Sequence, residues 1–390
     1  MARKTSPVLP GGTLAILGGG QLGRMMSMAA RTLGYHVRAL DPDPSCAARF
    51  VVDHCITASF EDEDAARELA RGADVVTLEI EKVSLASMRA AGEFAPVRPG
   101  PALLAIVQDR VKQKQWLVRH GFPVGPFSIA RSAKDVARAL RESRKPVFVK
   151  ASHGGYDGRG QAFVAAPDMA AAAWADLSCK AAVVEHALDL KQEVSILVAR
   201  RPSGQTAVFP PSQNHHEDRI LVYSVMPAPI PKRLAKQAEE IARGLAEALS
   251  LEGLLVVEFF VTRDGELLVN ELAPRPHNTF HGTEVGCVTS QFEQAVRAIC
   301  DLPLGSTEST RPVAIYNLLG DLWAGGEAPA FDRALALPGV RVHLYGKREA
   351  RPGRKMGHLT ALGKTPAAAI DLAMRAKKAL EVSGSRVRRT

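Results

Sequence analysis

Over the first hundred residues, short apolar runs alternate with stretches whose apolar positions recur every three or four residues. Residues 13–17, 37–40 and 75–78 read as strands, and 21–32 and 61–70 as amphipathic helices. That alternation predicts parallel α/β units. Prolines and a glycine at 96–101 mark a boundary. Beyond it, the helix formers of 109–120, stopped by Gly121 and Pro123, predict a further helix. From residue 146 the texture turns to strands at 147–150, 161–164, 182–185, 193–199 and 206–210. A long helix over 232–249 leads to two apolar runs, 254–262 and 267–272, separated by the turn signal Asp264-Gly265. The Pro/Ser/Thr-rich stretch 301–311 reads as a linker, 312–362 as strands again, and 366–380 as a closing helix. Three domains are expected, 1–108, 109–300 and 301–390, in a mixed α/β and α+β chain with a basic tail.

Composition adds boundaries more than detail. Of 390 residues, 46% are apolar and 23% charged, an ordinary globular balance. No apolar run nears the ~20 residues that cross a bilayer, and the first residues lack signal-peptide order, so no membrane partner is expected. Five cysteines, odd in number and without metal-ligand spacing, argue against a disulfide framework and favour a reducing cytoplasm. Fifty Lys+Arg against 41 Asp+Glu leave a charge of +9, which suits anionic partners. With aromatics at 5% and no nucleic-acid-binding signature, phosphorylated metabolites are favoured over nucleic acid.

Six clusters carry chemistry. Gly18-Gly19-Gly20-Gln21-Leu22-Gly23 joins a strand to a helix, with Asp41 ending the next strand; this suits any phosphate-bearing ligand, NAD among them, or no ligand at all. Glu79-Ile80-Glu81 ends the third strand, where ligands of open α/β sheets lie. Lys150 precedes a loop with four glycines in seven residues (154–160), able to wrap phosphates through its N–H groups or to serve as a plain hairpin. If Asp264-Gly265 is a two-residue turn, Glu258 and Glu271 lie directly opposite each other, on a face shared with Val256, Phe260 and Val269. Opposed carboxylates among apolar neighbours need a divalent cation, basic partners or a proton, and Mg²⁺ with ATP phosphates is the favoured resolution. Asn270, Arg275, His277, Asn278 and His281 cluster just after that hairpin and suit a small oxyanion. Finally Lys347, Arg351, Arg354, Lys355 and His358 surround a Pro-Gly turn, either a phosphate clamp or a solvated basic loop. His215-His216 offers one nucleotide contact at most.

In order along the chain, GGGQLGRM, TLEIE, VK with GGYDGRGQ, NE, LAPRPHN, TSQFEQ and RPGRKMGH resemble the ATP-grasp family of 5-(carboxyamino)imidazole ribonucleotide synthetases, over residues 12–362. The resemblance implies an ATP-grasp fold with a Rossmann-like first domain, a mobile lid over about 125–187 and a small β-rich last domain. It implies ATP and Mg²⁺ as cofactors, 5-aminoimidazole ribonucleotide and bicarbonate as substrates, and a homodimer. Mapped onto this chain, ATP would meet Arg110, Lys150, Gly155, Tyr156, Asp157, Gly158, Arg159, Gly160, Gln161, Glu185, His186, Ala187, Leu188, Glu193, His216, Asn270 and Glu271. The metal would rest on Glu258, Glu271 and Asn270. The ribonucleotide would touch Gln21, Leu22 and Glu79, with its phosphate on Lys347, Arg354 and Lys355. Arg275, His277 and Asn278 would hold bicarbonate, with Lys150 and Tyr156 also catalytic.

The chain departs from the family pattern at Phe280, where glycine is common, and at Gly282, where an aromatic is usual. Lys82 and Arg219 depart as well. Phe280 is expected to wall water away from a labile acyl phosphate. Two rival activities follow from other readings of the motifs: a formate-dependent glycinamide ribonucleotide transformylase, and an NAD-dependent dehydrogenase resting on the first glycine turn.

Overall fold

The computed structural model describes residues 6–154, 160–217, 220–324 and 328–381. A four-stranded parallel sheet opens the chain, in the order His54–Thr57, His36–Asp41, Thr13–Leu17, Val75–Leu78. Its inner strand Thr13–Leu17 is apolar and buried from Leu14 onward because both faces are covered. Leu14 and Ile16 pack with Leu22, Met25 and Met26 of the helix Gln21–Thr32. Ala15 and Leu17 pack on the other side with Leu40, Leu69 and Val76.

The second sheet is antiparallel, in the order Phe127–Ala130, Ala182–His186, Val147–Ala151, Gln161–Val164, and lies within the stretch the resemblance assigns to the lid. The third is the largest, with nine strands. Its inner strands Leu190–Arg200 and Gly253–Thr262 are covered by the helix Lys232–Ala248. Leu234, Ala238, Ala242 and Leu245 form one stripe on that helix and meet Ile196, Val198, Val257 and Phe259. Each large aliphatic side chain buried there contributes about 1.5–3 kcal/mol.

The strands of the expected third domain do not form a sheet of their own. Val313–Leu319 pairs antiparallel with Ile220–Met226, so Val313–Leu319, Lys355–Leu362 and Val340–Leu344 extend the large sheet. Nor is the 301–311 stretch a free linker. Thr310 donates to the Gly286 carbonyl at 2.8 Å, Val288 to that of Glu308 at 3.0 Å, and Asp301 accepts from Ser203. The strand Ser212–Glu217 escaped the sequence pattern for a physical reason: its inward positions are polar. Buried Asn214 donates to Ser195 Oγ at 2.6 Å, so pairing replaces the apolar alternation.

Candidate active site

The first glycine turn is already filled by two carboxyl side chains of the protein itself. Gly18 sits at φ 113°, and a side chain there would meet Glu79 Cγ at 2.5 Å. Glu79 Oε1 accepts from Gly20 N–H at 2.9 Å and its Oε2 from Gly23 N–H at 3.0 Å. Asp41 Oδ2 accepts from Gly19 N–H at 2.7 Å. Two carboxylates therefore occupy the helix N-terminus that a dinucleotide pyrophosphate would need, which removes the dehydrogenase reading. Burial raises the Glu79 carboxyl above its ordinary range, against the two N–H groups and Arg275. Gln21 lies half-buried at the rim, whereas the Leu22 side chain belongs to the core, leaving only its backbone to face a ligand.

The hairpin brings Glu258 opposite Glu271, but not by the expected turn. Val261 pairs with Leu267 and Thr262 N–H donates to Glu266, so the loop has three residues, with Gly265 at φ 84°. A bulge at Asn270 then restores the original pairing at Glu258. Two one-residue differences cancel. Val269 consequently turns to the opposite face and packs with Val257 and Phe259, away from Glu258. The bulge also lets neighbouring Asn270 and Glu271 line the same cavity. Burial, reinforced by Glu271, pushes the Glu258 carboxyl up to about 7.

Beside this pair lies a basic cluster from three elements. Lys150, ending Val147–Ala151, places Nζ 2.6 Å from Glu185 Oε2 and donates to Asn270 Oδ1 at 3.2 Å. Lys114 Nζ lies 2.8 Å from the other Glu185 oxygen. Burial opposes ionisation of Glu185, but the two lysines prevail and hold it down at about 2. Arg110 NH2 lies 3.7 Å from Glu271 Oε1. Lys114 was missed in the sequence; its position four residues after Arg110, on one helix face, was the available signal. In the segment after Glu185, the N–H groups of His186 and Ala187 are spent on Pro126 and Pro146 carbonyls, and Leu188 packs against Gly125. Gln161 pairs with Lys150 across the strands, and Gly160, at φ 69°, accepts from Ala151 N–H. Gly155, Tyr156, Asp157, Gly158 and Arg159 lie outside the described residues, as does Arg219. His216 Nδ1 sits 3.0 Å from Glu193 Oε2. Burial opposes a proton there, yet Glu193 and Glu258 raise the imidazole above its ordinary value. A bulge between His215 and His216 separates the two rings, and His215 stacks on Tyr223 instead.

The loop after the hairpin turns back over the carboxylates. Arg275 Nε lies 2.7 Å from Glu81 Oε1, tying this loop to the end of the first sheet. His277 Nε2 is 3.4 Å from Glu258 Oε1, and its Nδ1 is 2.9 Å from Thr279 Oγ1. Burial, with Arg275 and Lys355, holds His277 well below its ordinary value, so its ring is neutral. Gln291 pins the loop: it accepts from His277 N–H at 2.8 Å and donates to the His277 carbonyl at 2.9 Å. Asn278 spends its oxygen on His281 Nε2, 3.0 Å away.

Phe280 is not a wall over the pocket. It is fully buried in the core with Phe209, Met226 and Phe292, its ring 6.4 Å from that of Phe209. At Gly282 a Cβ would meet Val313 Cγ1 at 2.8 Å, so the aromatic common at that position has no room.

At the basic turn, Lys347 Nζ donates to the Lys355 carbonyl at 2.7 Å, and Arg354 to that of Glu349 at 3.0 Å. Arg351 pairs with Glu349 at the surface. Asp43, held below its ordinary range first by Ser45 and also by Arg354 and Arg348, shows that the first sheet's loops face this turn. Buried Lys355 acts electrostatically on Glu258, His216 and His277 together. The glycine turn, the carboxylate hairpin, the Arg275 loop and the basic turn thus converge on one site.

Comparison with known proteins agrees with that convergence. Residues 12–108 match the ribonucleotide synthetase preATP-grasp domain, 115–292 the ATP-grasp domain, and 313–371 the phosphoribosylaminoimidazole carboxylase C-terminal domain. The N5-carboxyaminoimidazole ribonucleotide synthase of Bacillus subtilis is 40% identical over 354 residues, which is 90% of this chain and 92% of its own. A solved N5-carboxyaminoimidazole ribonucleotide synthetase in complex with ADP is 39% identical, with TM-score 0.90 over 96% of this chain and 98% of that one. The Aspergillus clavatus synthase, solved with ADP and 5-aminoimidazole ribonucleotide, is 30% identical, with TM-score 0.87 over 95% of this chain and 99% of that one. The chain belongs to the N5-carboxyaminoimidazole ribonucleotide synthase family of ATP-grasp enzymes.

Proposed function

We propose that this chain carboxylates the 5-amino group of 5-aminoimidazole ribonucleotide with bicarbonate and ATP, releasing ADP and phosphate, in purine biosynthesis. The observation that carries this reading is the meeting of four groups at one hairpin: the Lys150–Glu185–Lys114 cluster, the Glu258/Glu271 pair, the Arg275–His277 loop and Lys355. The donor set of Glu258, Glu271 and Asn270 is all hard oxygen, and Glu258 gains a proton's worth of relief when a cation sits beside it, so the residues fit Mg²⁺. Bound there with ATP, Mg²⁺ would neutralise phosphate charge.

The remaining roles belong to the chain. Lys150 and Arg110 stabilise the charge that spreads over the phosphoryl oxygens as a bicarbonate oxygen attacks the γ-phosphorus and ADP leaves. Arg275, held by Glu81, supplies positive charge for bicarbonate, while neutral His277 offers hydrogen bonding beside it. The amine nitrogen then attacks the carboxyl carbon of carboxyphosphate, phosphate leaves, and the nitrogen gives up a proton. Gln21, Glu79 and the Leu22 backbone orient the imidazole end, and Lys347, Arg354 and Lys355 take the 5′-phosphate. Adenine fits the carbonyls of 186–188, whose N–H groups at His186 and Ala187 are already used. Glu193 would take the ribose, and His216, with the glycine loop that the resemblance assigns to ATP, would serve the phosphates. A homodimer in the cytoplasm belongs to the same reading. The homodimer rests on the family resemblance, and the reducing cytoplasm on the five free cysteines.

The test is ADP release by purified protein with bicarbonate plus 5-aminoimidazole ribonucleotide, set against formate plus glycinamide ribonucleotide. Turnover with the first pair is expected; turnover with the second alone overturns the proposal.

A further inference from the structure

Behind the Arg275–His277 loop lies a group of side chains that the carboxylation does not use. Glu284, on the short helix Thr283–Gly286, faces His343 and His358, which are register partners on adjacent strands. One ligand atom from each of the three lies within 4.8 Å of the other two. Glu284 Oε2 is 3.9 Å from His343 Nδ1 and 4.0 Å from His358 Nε2. These separations are too long for hydrogen bonds. They lie close to what three ligands of one cation require: with metal–ligand bonds of about 2.0–2.2 Å, tetrahedral ligand atoms sit roughly 3.4 Å apart.

We propose that Glu284, His343 and His358 form a binding site for a zinc-class divalent transition metal, separate from the ATP-linked carboxylate pair. Two imidazoles and one carboxylate are a nitrogen-rich set that zinc takes readily and that Mg²⁺, which takes oxygen ligands, does not favour. His358 is 1% exposed and carries a partner on its other nitrogen, with Tyr345 Oη 2.9 Å from Nδ1. That contact directs Nε2 toward Glu284, as outer hydrogen bonds do for metal-bound histidines. The His343 and Glu284 side chains are 24% and 32% exposed, which leaves an entry path and an open coordination position. The His343 and His358 rings are stacked, 5.1 Å apart and 8° from parallel, so binding would require the more exposed His343 ring to turn about its side chain and bring Nδ1 to a centre shared with His358 Nε2.

The charges around the site are compatible with a cation. Burial, with neighbouring histidines, keeps His358 neutral, and burial with Arg24 does the same for His343, so both imidazoles offer lone pairs. Burial raises the Glu284 carboxyl to about 7 against the pull of Arg341, and a bound metal would favour its ionised form. His281 stacks on His358 at 4.4 Å without adding a ligand, because both its nitrogens face Asn278 and Gln291. The site would tie the loop bearing Arg275 and His277 to the strands leading to Lys347 and Lys355. It would act as a structural tether between the oxyanion loop and the phosphate clamp.

The experiment uses the full chain, free of tags, stripped with chelator and then equilibrated with Zn²⁺ in excess Mg²⁺ without nucleotide. Calorimetry and metal analysis are expected to give one Zn²⁺ per chain, and Co²⁺ substitution to give visible d–d bands without a thiolate charge-transfer band. Glu284→Gln and His343→Ala should each lower Zn²⁺ affinity by about tenfold or more. Zn²⁺ should raise the melting temperature of the wild type clearly more than that of either variant at the same metal concentration. Glu284→Gln, at the exposed side, keeps the test valid if His343→Ala folds poorly. No stoichiometric zinc in the wild type, full retention in Glu284→Gln, or a cobalt spectrum dominated by thiolate would overturn the proposal. The binding readout is independent of carboxylase turnover.

Discussion

Replacing Glu185 by glutamine probes the electrostatic centre of the nucleotide pocket. Its carboxylate lies between Lys114 and Lys150, at 2.8 and 2.6 Å, and its side chain is 11% exposed. The lysines hold it at about 2 against an ordinary 4.5, despite burial. That gap corresponds to about 3 kcal/mol of stability at neutral pH. Because the folded value is depressed, this stability is present above pH 4.5 and is lost as pH falls toward 2. Glu185→Gln also leaves Lys114, which burial already pushes down, without its counter-charge. Breaking a buried pair in this way costs about 3–5 kcal/mol, in line with the first figure. Urea unfolding at pH 7, followed by circular dichroism, should show a loss of about 3 kcal/mol. Adding Lys114→Met should restore at least half of it, since the stranded charge is gone. A single variant within about 0.5 kcal/mol of wild type, or a double variant no better than the single, would refute the reasoning.

Glu258→Gln tests the opposed carboxylates. The folded value is raised to about 7, so the contribution of Glu258 to metal-free stability is fully present below pH 4.5, and about 3 kcal/mol of it is lost as pH rises through 7. Melts in chelator should therefore favour the variant increasingly at high pH while it loses ATP turnover; parallel melting curves would contradict this. Phe280→Gly should cost about 3–5 kcal/mol by opening a core cavity, while the ratio of ADP to carboxylated product stays near one. A ratio well above one in folded protein would put the ring at the reaction centre. Arg354→Ala and Lys347→Ala should each raise KM for the ribonucleotide about tenfold or more with little change for ATP, and equal effects on both substrates would move the clamp elsewhere.

Three strands of the parallel first sheet, 13–17, 37–40 and 75–78, were legible because they are mostly apolar and buried, whereas the edge strand His54–Thr57 was not, since its positions are exposed or half-buried. Strands such as Ser212–Glu217 were not, since buried Asn214 satisfies itself by a side-chain hydrogen bond. The Glu258/Glu271 pairing was reached through a turn one residue too short and a bulge that no pattern announced. Side-chain partners were the least visible layer. Nothing in a linear motif says that Glu79 would spend both oxygens on glycine N–H groups, or that Gln291 would clamp His277. Phe280 and Gly282 stood out as departures, but only packing explains them: Phe280 is a core residue, and Val313 leaves no room for a side chain at 282.

The central claim, that bicarbonate is activated by phosphorylation before it reaches the amine, is tested most directly with ¹⁸O-labelled bicarbonate. Phosphate released during turnover with 5-aminoimidazole ribonucleotide should carry one ¹⁸O per product formed, because the oxygen that attacks the γ-phosphorus leaves with it. Unlabelled phosphate, with product still forming at the same rate, would contradict the account.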